Sequence, residues 1–140
     1  MSAMSDYLEQ KLIDHLFDAD GAGNYTPAAG YWIELFTVAV NDAGSGGSPV
    51  SGGNYARSNN NTARGSANWT RAGNIVSNAK VITFNTPNAN WGVVVGFGLY
   101  DHATNSTNLI LHGTLTNSKT INNGDPAPKF NIGELKFTLD

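Results

Sequence analysis

The spacing of hydrophobic and polar positions along this chain changes period once. Between residues 5 and 17, Leu8, Leu12, Ile13, Leu16 and Phe17 recur at helical intervals, with Gln10, Lys11, Asp14 and His15 opposite. That pattern predicts one amphipathic helix. Ser5 or Asp6 can cap it, Asp6 with Glu9 has capping-box spacing, and the Asp20–Asn24 segment stops it. Beyond it the period is two. Residues 31–40 predict a strand with Trp32, Glu34 and Phe36 on one face and Tyr31, Ile33, Leu35 and Thr37 on the other. Lys80 to Phe84 alternates likewise.

Trp91 to Asp101 is the longest apolar run and predicts a central strand buried on both faces. Gly96 and Gly98 leave a side-chain-poor floor on one of those faces, where the helix is expected to pack. Asn108 to Thr116 is expected to pair with this run as a hairpin. Shorter strands are expected at 55–57, near 68–71, at 119–121 and through Phe130, Ile132, Leu135, Phe137 and Leu139. The Gly- and Ser-rich stretch from Asn41 to Asn54 reads as a functional or mobile loop.

These elements predict a mainly β protein, a single antiparallel β-sandwich (Ig-like or jelly-roll-like) with one N-terminal helix. Residues 1–20 form the docking helix and 21–140 the sandwich. A helix this short is marginal alone, so it docks either on its own sheet or on a neighbouring subunit. Open sheet edges need covering, which favours a homo-oligomer, a trimer at a three-fold site being one form.

Composition narrows the function classes. Charged residues make up 14% of the chain and its net charge is −3, so no basic patch for nucleic acid or anionic membrane is expected. Cysteine is absent, which removes disulfides, thiolate metal sites and cysteine nucleophiles. The first residues lack the pattern of a secretory signal, and no apolar stretch approaches a membrane span.

Candidate chemistry is sparse. Gly44-Ser45-Gly46-Gly47-Ser48 has the composition of a nucleophile elbow but not its order. His15, His102 and His112 lack metal-ligand spacing, although His102 and His112 could meet across the hairpin. Asp18-x-Asp20-Gly21 is a calcium-loop fragment without later ligands. Nothing brings two of Asp42, Asp101, Asp125 and Glu134 together, and Asp101 reads as a turn cap. Trp69 and Trp91, beside Asn-rich loops, either stack on sugar rings or fill the core. No catalytic group, cofactor site or metal site is expected.

Several phrases resemble a family of small virion structural proteins of tailed bacteriophages, loosely described as tail-fibre-like. They are Tyr7-Leu8 to Leu16, Leu35-Phe36-Thr37, Asp42-Ala43-Gly44, Val50-Ser51-Gly52-Gly53-Asn54-Tyr55-Ala56-Arg57, Ile82-Thr83-Phe84, Trp91-Gly92, Phe97-Gly98-Leu99-Tyr100-Asp101 and Leu109-Ile110-Leu111-His112-Gly113. Pro49 departs from an acidic residue common there, and Asn59–Thr70 is expanded. The resemblance implies a virion component made in the host cytoplasm, with the major capsid protein or another virion protein as partner. The first expectation is a capsid decoration (cement) protein whose contacts include Leu8, Leu12, Leu16, Tyr55 and Arg57. On that reading Arg57 pairs with a partner's carboxylate. The alternative is a tail-fibre or baseplate component that binds host glycan through Trp69 and Trp91.

Overall fold

In the computed structural model, residues 2–17, 25–58, 60, 62–104 and 108–139 are described. The expected helix stop at Asp20–Asn24, the Asp18-x-Asp20-Gly21 fragment and the division at residue 20 lie outside them.

Five strands form the main antiparallel sheet. They are β1 (Ser2–Met4), β2 (Trp32–Val38), β3 (Ser48–Pro49) and the long hairpin β7 (Gly92–Tyr100) and β8 (Leu109–Ile121), with α1 (Asp6–Phe17) after β1. Their order is β1-β8-β7-β2-β3, so the apolar run lies at the centre as expected. A second sheet has the order β10-β5-β4, from β4 (Trp69–Ala72), β5 (Ile75–Asn78) and β10 (Lys136–Thr138). The pair β6 (Ile82–Thr83) and β9 (Lys129–Phe130) completes the fold. The protein is mainly β with one helix. The expected strand at 55–57 is absent, and 80–84 contributes only two strand residues.

Burial divides the main sheet's two faces unequally. Ile33, Leu35, Phe97 and Leu99 join Ile82, Phe84, Leu135 and Phe137 in the large core between the layers. Phe97 meets Phe130 and Phe137 edge-on at centroid distances of 6.0 and 5.5 Å, the geometry that aromatic quadrupoles favour. The other face carries a smaller cluster of Phe36, Val40, Tyr100 and Leu109.

This smaller cluster corrects the expectation for the helix. The space above Gly98 is filled by Leu109, Tyr100 and Phe36, and α1 instead buries Leu8 in the large core. Ser5 is the cap: the Leu8 amide donates to its Oγ, which itself donates to the Leu109 carbonyl. Leu8, not Glu9, therefore holds the capping-box position. Burial fades along the helix, from 7% exposed at Leu8 to 37% at Leu12 and 72% at Leu16.

Buried Asn78 ties the C-terminal segment to β5. Its Nδ2 donates to the carbonyls of Lys80 and Asn131, and its Oδ1 accepts from the Leu135 amide. The bond to the Leu135 amide is buried and the other two are partly buried, and together they align Leu135 and Phe137 with the core.

Gly96 and Gly98, inside β7, make different demands. A Cβ at Gly96 would lie 2.9 Å from the backbone carbonyl oxygen of Gly113 on β8, whereas at Gly98 it would meet only side chains. Gly96→Ala is expected to cost about 2–3 kcal/mol and Gly98→Ala about 1 kcal/mol. Urea unfolding of both variants checks the order; equal costs would mean that the β7–β8 backbone approach is not the constraint.

Candidate functional site

The segment from Val50 to Ser58 holds the phrase Ser-Gly-Gly-Asn-Tyr-Ala-Arg, and the outer edge of β2 explains its residues. The Val50 amide donates to the Leu35 carbonyl, and Ser58 and Ile33 exchange backbone bonds of 3.0 and 2.8 Å. Between those points the chain leaves the strand, which would strand the Leu35 amide in the core. Tyr55 fills the gap: its hydroxyl accepts from that amide at 2.6 Å.

The detour needs a sharp turn. The Tyr55 amide donates to the Gly52 carbonyl, and Gly53 and Asn54 hold positive φ of 51° and 63°. Gly53 passes so close to Trp91 that a Cβ would lie 3.0 Å from the indole nitrogen. That nitrogen donates to the Gly53 carbonyl at 2.9 Å. The Tyr55 ring then stacks on Phe84 and meets Trp91 edge-on at 5.0 Å.

Arg57 ends the detour. Its guanidinium donates to Glu34 at 2.7 Å and to the His102 carbonyl at 2.8 Å, and it lies 3.8 Å over the Tyr100 ring. The side chains of the pair are only 6% and 10% exposed. The carboxylate expected from a partner is thus Glu34 of the same chain. The Asn41–Asn54 stretch is likewise built into the fold, contributing β3 and the buried Val50.

The remaining candidates separate. Leu8 is buried in its own core, while Leu12 and Leu16 are exposed beside Ile13 and Phe17, which are 58% and 81% exposed. Trp91 is 4% exposed and offers no face to a sugar, whereas half-buried Trp69 lines an apolar cavity. His112 pairs with Asp42 at 2.7 Å, and His102 lies against Trp32. Asp101 accepts from the Asn108 side chain, and Asp125 and Glu134 accept from the amides of Asn122 and Asn131. Each of these carboxylates serves its own loop or turn. Among the described residues no group of three metal-ligating side chains comes together.

Glu34 was legible only as a polar residue in an apolar strand. Its pairing with a cation 23 positions away has no local signal.

Residues 3–138 match the model of a family described as podophage GP4 fiber I protein gp80. The chain belongs to this family. As a member of the fiber I protein gp80 family it is a structural protein of a phage particle. No curated protein matches the chain. In this family member the Tyr55–Arg57 phrase is an internal latch.

The latch gives the fold an alkaline limit. Burial, then the Glu34 charge, pushes Tyr100 up to about 12 against the opposing effect of Arg57, and burial also raises Tyr25 and Tyr55. A raised folded-state value favours the neutral phenol, so the stabilisation is complete below pH 10 and is lost as pH rises through about 12. Denaturant unfolding followed with tyrosinate absorbance should show stability falling across that window, and falling less in Tyr100→Phe. Ionisation of all tyrosines near the ordinary value without loss of stability would contradict this.

Proposed function

We propose that the chain is a non-enzymatic structural subunit of the fibre apparatus of a podophage particle. The match to a fiber protein family over residues 3–138 carries this reading. The internal geometry supports it: Glu34 and Arg57, Asp42 and His112, and the carboxylates of Asp101, Asp125 and Glu134 bond to groups of the same chain, so they serve shape.

The decoration reading drew on an adaptable Gly-Ser loop and on Tyr55 and Arg57 as contacts; Tyr55 and Arg57 are committed within the fold, while residues 41–46 of the loop stay exposed. The contact with other virion proteins falls instead to the exposed half of α1, where Leu12, Ile13, Leu16 and Phe17 leave apolar surface in water. Repetition of that contact over many copies would supply firm attachment from weak individual bonds. Self-association of the chain belongs to the same proposal.

Purified particles, separated into heads and tail-with-fibre fractions, test it by immunolabelling. The protein should follow the fibre fraction, and Leu16→Glu with Phe17→Glu should lower its incorporation while leaving its thermal midpoint unchanged. Retention on tailless heads alone would overturn the fibre reading in favour of decoration.

A further inference from the structure

One cavity, of about 250 Å³, lies where α1, the main sheet and the small sheet meet. Its buried floor includes Leu99, Ile110, Leu111 and Phe137, and the half-buried rings of Tyr25, Tyr31 and Trp69 stand nearer to solvent. The polar atoms of those rings have partners in the protein. The Tyr25 and Tyr31 hydroxyls lie 3.5 Å apart, and the Trp69 indole nitrogen donates to the Thr62 carbonyl at 3.4 Å. Among the described residues that line it, none carries a charged side chain.

This chemistry selects the ligand class. A sugar would bury more hydroxyls than the two phenols and one indole of the described lining can satisfy, at a cost of about 1–3 kcal/mol for each left over. A carboxylate or ammonium would shed its hydration with no counter-charge among the described lining residues to replace it. An apolar group loses nothing and removes surface from water. Size agrees, since a cavity of about 150 Å³ lined by Leu, Ile and Phe is enough to hold benzene. We propose that this cavity binds a small uncharged molecule built on a single aromatic ring or a branched alkyl group of similar bulk. Trp69 then serves as a wall for an apolar ligand and not as a sugar platform. The proposal goes beyond the fibre reading and does not depend on it.

Toluene is the probe, titrated into the full chain while methyl NMR signals of Val76, Leu99, Ile110 and Leu111 are followed. Methyl glucoside and benzoate serve as comparison arms. The expected result is a set of shifts confined to those four residues, with a toluene dissociation constant of about 1 mM or tighter. Neither comparison ligand should move them at about tenfold higher concentration. Val76→Phe, which fills the cavity from β5, should weaken toluene binding by about tenfold or more. If that variant does not fold, the map on the unaltered chain decides alone. Absence of shifts up to saturation, shifts centred elsewhere, or equal shifts with glucoside or benzoate would overturn the proposal.

Discussion

The outer edge of β2 is the constraint on which much of this structure turns. A sheet edge inside a core must find acceptors for its amides, and here the neighbouring chain pairs only above Leu35 and below it. The Tyr55 hydroxyl stands in for the missing carbonyl. Supplying it from the correct side requires the Gly52–Tyr55 turn, the close pass over Trp91 and the return at Ser58. One unmet hydrogen bond therefore accounts for the turn glycines and the tyrosine of a single short phrase.

Arg57 and Glu34 show the same economy on the smaller face. A buried ion pair carries a desolvation cost that attraction repays only with good geometry and further hydrogen bonds. Both are present, in the His102 carbonyl and the ring of Tyr100. Because Gly98 brings no side chain, Phe36, Leu109 and Tyr100 can close over that face. The helix is left to dock by its first turns only. Its outer half then carries the apolar surface that the fibre reading assigns to contact.

Periodicity exposed the elements whose partners are close in sequence or whose burial is uniform. The helix, β2, the central strand and the β7–β8 hairpin all followed from it, although only Leu8 of the expected helix face is buried. Tyr55-Ala56-Arg57 has strand-like composition, but the preceding turn and the demand of Leu35 override it. Strand β1 is made by its pairing with residues 111–113 of β8, so its own three residues carry little signal. The β4–β5 hairpin did have a cue in Gly73-Asn74, the two residues between Ala72 and Ile75, with Gly73 at a φ of 62°. The site was less legible than the fold. Tyr55, Arg57 and Trp91 were visible as unusual residues, but only tertiary distances show that they face inward.

The most direct measurement is a double-mutant cycle on the buried pair, comparing Glu34→Gln, Arg57→Met and the double variant by urea unfolding. If Arg57 is committed inside the chain, each single change leaves a buried partner unmatched, and the coupling energy is about 2–3 kcal/mol. Additive effects, with each single change near zero, would mean that Arg57 is a solvated residue free for another protein, and the latch account would fail.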